Sequence, residues 1–253
     1  MLAIEKALEL NPNVSTAWYY KGIALDNLGR CEEALQAYDK DLELKPDNSN
    51  AWHRKGIALD NLGRCEEALQ AYEKALELNP GDSDTWHRRG ETLDNLGRYE
   101  EALQAYDKVL ELNPNDSDAW NNKGAILYYL NCHEEALQAY DKVLELNPND
   151  SNAWNNKGVT LYYLSRYEEA LQAYDKVLEL NPDDSIAWNR KGGTLYHLGR
   201  YEEALLAIEK ALKLNPDDST AWNNKGVTLY HLGRHGEAQI AFKKASELTI
   251  KPK

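Results

Sequence analysis

No stretch of this chain approaches the ~20 consecutive apolar residues that a helix needs to cross a bilayer, so a membrane-spanning protein is not expected. Bases are short relative to acids: 29 Lys and Arg stand against 42 Asp and Glu, a formal net charge of −13. An acidic surface repels phosphate backbones and anionic lipid, which argues against nucleic acid and membranes as partners. The N-terminus, MLAIEKALELNP, lacks a basic start followed by an apolar stretch and is not a secretion signal. Enzyme signatures are missing too. There is no Walker phosphate loop, no G-x-S-x-G elbow and no H-E-x-x-H, and exposed E-E pairs need a walled pocket before their pKa values shift. Neither catalysis nor a cofactor is expected. Cysteine is sparse, with three residues. Free thiols in odd number fit a reducing compartment, and the cytoplasm is the expected location.

What the chain does contain is a period. Trp18, Trp52, Trp86, Trp120, Trp154, Trp188 and Trp222 fall 34 residues apart. Seven of the eight prolines keep that step, from Pro12 to Pro216, as do glycines from Gly22 to Gly226. A length of 253 residues would ordinarily suggest one or two globular domains. A repeat overrides that prior. One supersecondary unit is copied along the chain, each copy too small to bury its own apolar face. Cys31 and Cys65 hold equivalent places in neighbouring copies, so they should sit a helix layer of roughly 10 Å apart, beyond the ~7 Å a disulfide tolerates.

The copy from Ser117 to Asp150 shows the logic. Asp116 and Ser117 can cap the first N–H groups of a helix. Trp120, Gly124 and Leu127 then follow on one face. Asn131 stands where other copies have Gly29, Gly63, Gly97, Gly199 and Gly233, residue types that tolerate the left-handed end of a helix. A second helix opens with Glu134 and Glu135, whose charges suit an N-terminus. Ala136, Tyr140, Val143 and Leu144 form its apolar stripe, and Pro148 stops it. Small residues at the glycine and alanine positions should let the two backbones approach, with the tryptophan filling the space beside them.

Trp120, Gly124, Leu127, Ala136, Tyr140, Val143 and Pro148 resemble the signature positions of the tetratricopeptide (TPR) repeat, and the match recurs over the whole chain. The resemblance implies an all-α fold: a right-handed α-α superhelix, or TPR solenoid, of seven 34-residue helix-turn-helix repeats plus an N-terminal half repeat. Residues 1–14 are then the second helix of a truncated repeat. Residues 15–253 hold seven repeats starting near 15, 49, 83, 117, 151, 185 and 219 in one solenoid domain. First helices would line a concave groove. Two places depart from the pattern. Asp41 stands where other copies carry Ala75 or Val109, and a carboxylate at a helix interface is costly unless partly solvated, so the first full repeat should be the least stable. Ile250 replaces the expected proline, Pro252 comes two residues late, and the last helix should fray near Lys251.

Inward positions of the first helices lie two before the tryptophan, one or two after, five after, and eight or nine after. The last pair reads Asp26-Asn27, Asp60-Asn61 and Asp94-Asn95 in the first three repeats. It then changes to Tyr128-Tyr129, Tyr162-Tyr163, Tyr196-His197 and Tyr230-His231. One half should be acidic and polar, the other aromatic. Just after the tryptophan stand Asn121-Asn122, Asn155-Asn156, Asn189-Arg190 and Asn223-Asn224. A row of amides can bond an extended peptide backbone, and tyrosines add contact area at modest entropic cost. The row resembles the asparagine ladder of TPR superhelices in protein O-glycosyltransferases at Asn122, Asn156 and Asn224, with Arg190 interrupting it. The same amides can instead bond each other between adjacent helices. The TPR carboxylate clamp is not matched, since His53, Ile57, His87 and Glu91 occupy the corresponding positions. Histidine pairs such as His53 and His87, or His197 and His231, are a full repeat apart. Gly233 separates His231 from His235, so no metal site is expected.

These residues point to a scaffold that holds a protein or peptide ligand in its groove. Another reading makes the array the recruiting arm of a larger multidomain enzyme, motivated by the mid-repeat start at Met1. Leu2, Ile4, Ala7 and Leu8 would form an uncapped apolar end, and self-association through it is expected.

Overall fold

The computed structural model describes residues 2–250. Among the described residues there are fifteen α-helices and no strand. The chain divides into two compact units, Met1–Ile126 and Leu127–Lys253, with the boundary inside one helix. The first unit holds α1 (Leu2–Leu10), α2 (Ser15–Asp26), α3 (Cys31–Leu44), α4 (Ser49–Asn61), α5 (Cys65–Leu78), α6 (Ser83–Asn95) and α7 (Tyr99–Leu112). Next comes α8 (Ser117–Tyr129), in which the division falls. The second unit continues with α9 (His133–Leu146), α10 (Ser151–Tyr163), α11 (Tyr167–Leu180), α12 (Ser185–His197), α13 (Tyr201–Leu214), α14 (Ser219–His231) and α15 (His235–Ile250). Within each unit consecutive helices pack as antiparallel pairs, and first helices of successive repeats also touch, as α4 does α6 and α12 does α14. The expected fraying near Lys251 lies outside the described residues.

Local chemistry accounts for where the helices stop and start. Asp116 is the cap of α8, accepting from the Ala119 N–H at 2.9 Å, while Ser117 is already helical. Asp150 does the same for Ala153, satisfying one of the orphan donors of a first turn. Each first helix ends in a residue with positive φ. Glycine supplies it at Gly29, Gly63, Gly97, Gly199 and Gly233, and Asn131 (φ 61°) and Ser165 (φ 59°) adopt it without glycine's freedom. Second helices other than α1 and α9, which Cys132 precedes, open on a fork from arginine to a glutamate three residues on, as Arg200 to Glu203 at 2.7 and 2.6 Å.

Packing differs from the sequence expectation in one respect. The group that covers each first-helix glycine is the large side chain of the partner helix, not the tryptophan. A Cβ at Gly22 would lie 2.4 Å from the Tyr38 ring, and one at Gly56 equally close to Tyr72. Ile208 and Phe242 play this part against Gly192 and Gly226. The tryptophans are only half-buried. Each donates its indole N–H to the carbonyl of the proline six residues earlier, as Trp154 to Pro148 at 2.8 Å. A base from the same helix caps the ring, as Lys157 does 5.2 Å above Trp154.

Asp41, the carboxylate that the sequence sets at a helix interface, is fully buried. Its carboxylate accepts from the Ser15 hydroxyl and from Asn48 Nδ2 at 2.6 Å; α2 itself begins without a side-chain cap because its N-cap residue is Val14, which has no polar side-chain atom. Two neutral donors do not replace full hydration of a carboxyl group, and hydrophobic replacements of buried polar or ionic groups often stabilise by ~1–4 kcal/mol. Val109, Val143 and Val177 fill this place elsewhere with no exposure. Asp41→Val should therefore raise the stability of the first unit by ~1–2 kcal/mol, read as a higher urea midpoint at unchanged slope. A lower midpoint would show that the Ser15 and Asn48 bonds outweigh the desolvation.

Candidate functional site

In the first unit two of the three acidic positions each commit one carboxylate oxygen to the protein itself. Asp26 and Asp60 accept from the hydroxyls of Tyr38 and Tyr72 at 2.6 Å each, and Thr92 adds a bond to Asp60 at 2.7 Å. Burial lifts both carboxylates above their usual range, against the hydrogen bonds that lower them. It also holds both tyrosine hydroxyls far above theirs. Asn122 donates to Tyr106 Oη at 3.3 Å and reaches His87 Nε2 at 3.5 Å. Asn121 is half-buried beside it.

Two repeat-equivalent histidines are driven apart by their surroundings. His53, against Thr85 Oγ1 at 2.7 Å, is pushed down by burial. His87 is raised, chiefly by its hydrogen bond to Glu91, which in turn is lowered. The stabilisation carried by the raised His87 is full below the unfolded histidine pKa and is lost as pH rises through the folded value. That carried by the lowered Glu91 is present above the unfolded glutamate pKa and lost as pH falls through the folded value. NMR titration should place His87 above and His53 below the ordinary histidine value. Glu91→Gln should bring His87 down and leave His53 in place; a His87 that titrates identically in both proteins would refute the pairing.

The second unit is aromatic, as the sequence suggested, but its order comes from a position that sequence reading passed over. The first residue of each second helix stacks on the next repeat. His133 lies against Tyr163 at 5.9 Å, Tyr167 against His197 at 5.1 Å and Tyr201 against His231 at 5.3 Å. Tyr128, Tyr162 and Tyr196 meet these stacks edge-on, and the Tyr196 hydroxyl bonds His231 Nε2 at 2.8 Å. Burial and the Tyr163 hydroxyl raise Tyr128 to about 12. The signal was present in the sequence: Tyr or His stands at 99, 133, 167, 201 and 235, where the first two repeats carry Cys31 and Cys65.

Three of these rings, Tyr128, Tyr162 and Tyr163, help wall an open cleft of about 480 Å³. It brings together Tyr128, Tyr162, Asn189, Arg190 and Asn224 of the expected groove, and adds Tyr163, Tyr174, Val159, Ile186 and Gly193. An adjoining cavity of about 150 Å³ shares Tyr162, Gly193 and Asn224 and includes Tyr196. The amides partly bond each other. Asn224 donates to Asn189 Oδ1 at 3.0 Å, and Arg190 donates to the side-chain oxygen of Asn155. Asn156 is half-buried on the same helix face, its backbone carbonyl accepting from Thr160. Asn121, Asn122, Asn155 and Asn156 line neither cavity, and two further expected residues lie apart from both. Asn223 is exposed and borders a separate depression with Phe242 and Thr249, and Tyr230 is exposed against His235. Among the described residues no cluster of three His, Cys, Asp or Glu is arranged to hold a metal, and no helix is long and apolar enough to cross a membrane.

Tetratricopeptide repeat models match residues 24–83, 53–117, 155–213 and 200–249, with further repeat models over 117–150 and 3–36. The chain belongs to the tetratricopeptide repeat family, a class of all-helical scaffolds for protein partners. Among solved structures it is similar to YrrB, a TPR protein described as having an unusual peptide-binding site. The two are 31% identical with a TM-score of 0.66, over 73% of this chain and 95% of that one. MamA from Desulfovibrio magneticus RS-1 is 26% identical with a TM-score of 0.64, over 66% and 94%. A tetratricopeptide repeat protein from Parabacteroides merdae shares the fold over 92% of this chain and 93% of its own, at 21% identity and a TM-score of 0.70. Among curated proteins none matches significantly.

Proposed function

We propose that this protein is an interaction scaffold that holds an extended segment of another protein across the first helices of the Leu127–Lys253 unit. The observation that carries the reading is the cleft. It gathers tyrosine rings, amides and one guanidinium from four successive first helices, α8, α10, α12 and α14, into one open channel. Rings give contact area with a polar tip, and amides left with spare donors and acceptors can bond a peptide backbone. The similarity to YrrB supports a peptide as the ligand. The acidic balance of the chain favours protein over nucleic acid, and three free cysteines suit a reducing cytoplasm.

Selection of a random short-peptide library on the immobilised protein tests this. Enriched peptides should bind Tyr162→Ala and Asn224→Ala about tenfold more weakly, and should bind Gln172→Ala, on an exposed second-helix face, as they bind the parent. Equal affinity for all three variants would place the ligand elsewhere.

A further inference from the structure

The sixth repeat departs from its neighbours at two inward positions at once. Two residues after the tryptophan, α8, α10 and α14 carry Asn122, Asn156 and Asn224, while α12 carries Arg190. Five residues after it they carry Ala125, Val159 and Val227, while α12 carries Gly193. Packing does not demand that glycine. A Cβ there would meet nothing within 4 Å, and glycine is a poorer helix former than alanine. Its structural effect is to leave room, because Gly193 lines both the cleft and the adjoining cavity.

Arg190 stands beside that room without an ionic partner. It donates to Asn155, and no ion pair to it forms among the described residues. The contrast with α6 is direct. There Arg88, in the same repeat position, is matched three residues later by Glu91 at 2.9 Å; three residues after Arg190 the chain has Gly193. The acid that also lines the cleft, Asp218, is turned to the start of α14, where it accepts the N–H groups of Thr220 and Ala221. Arg190's charge reaches the buried Tyr174 and Tyr128, which it pulls against the effect of burial. Aromatic walls limit screening by water and strengthen a charge-assisted bond.

We propose that the cleft selects segments carrying an internal glutamate or aspartate, whose carboxylate rests on Arg190 in the space left by Gly193 while neighbouring ligand residues lie against Tyr162 and Tyr163. This rests on the peptide-binding reading above. The acid is a side chain and not a chain end, because the cleft is open and lined by helices in succession, with no closed pocket to hold a terminus.

Arrays of synthetic peptides, acetylated and amidated, with random flanks around a fixed Glu or a fixed Gln, supply the test. The parent protein should retain the Glu array about tenfold better than the Gln array, and the preference should shrink as salt rises. Arg190→Asn should bind both arrays alike, and Gly193→Val, which fills the recess, should lose the preference as well. Both replacements are residues that neighbouring repeats use at these positions, so the fold should hold; Arg190→Gln is the second variant if Arg190→Asn does not fold. Equal binding of the two arrays by the parent, or a Glu preference that survives in the folded arginine variant, overturns this proposal and leaves the peptide groove standing. A parent protein that binds neither array overturns both.

Discussion

Gly158→Val should cost the Leu127–Lys253 unit about 3 kcal/mol, the top of the usual range for overpacking a core. A Cβ at Gly158 would lie 2.7 Å from Tyr174 Cε1 and 3.0 Å from Cζ, before either valine methyl is added. Tyr174 is 2% exposed and is held among Leu161, Ala170 and Ala173, so its ring cannot move aside without disturbing that packing. Removing a helical glycine returns only ~0.5–1 kcal/mol, and β-branching forfeits part of that. The clash wins. Gly193→Ala, whose Cβ meets nothing, should instead gain ~0.5–1 kcal/mol. Urea unfolding of the two variants measures the contrast; a Gly158→Val protein as stable as its parent would mean that the Gly158–Tyr174 contact is looser than the structure shows.

Trp154→Ala should remove ~3 kcal/mol, the lower end for a truncated large aromatic because the ring is half-buried. The ring serves two core clusters. It packs on Leu137, Leu161 and Ala173 on one side, and on Val177, Leu178 and Ala187 with Trp188 on the other. It also loses the bond to Pro148 and the cover of Lys157. In a repeat array each copy leans on its neighbours, so protection should fall first in α9 to α12 and later in α14 and α15. Hydrogen exchange resolves this. Trp18→Ala, in the cluster of Tyr38, Leu25 and Ala34, should loosen α2 and α3 and leave the Leu127–Lys253 unit protected. A uniform loss along the whole chain in the Trp18 variant would show that the array unfolds as one.

Much of the architecture was legible because it is local. Helix starts at Ser15, Ser49, Ser83, Ser117, Ser151, Ser185 and Ser219, and left-handed stops at glycine or asparagine, depend on a few adjacent residues. Prolines and caps act within one turn. The candidate site was legible in its ingredients and not in its grouping. Asn189, Arg190, Asn224, Tyr128 and Tyr162 meet in one cleft, while Asn223 and Tyr230, from the same periodic rows, turn away from it. A repeat position tells which face of a helix a residue shares; it does not tell how deep that face lies or what the next repeat sets against it.

Adjacent glycines make the division plain. Gly192 and Gly193 are indistinguishable as letters, yet one lies under Ile208 and the other opens into a cavity. Asp41 read as a costly carboxylate at a helix interface, and the packing sets it against Ser15 and Asn48. His133, Tyr167 and Tyr201 drew no reading from the sequence, and the stacking of repeats placed each against a ring of the following copy. Period, helix boundaries and family belong to interactions between residues a few positions apart, so they are written in the order of the chain. Which glycine is roofed, which carboxylate is satisfied and which arginine stands unpaired in a cleft depend on side chains 16 to 35 positions apart, and only the packing of one helix on another brings those together.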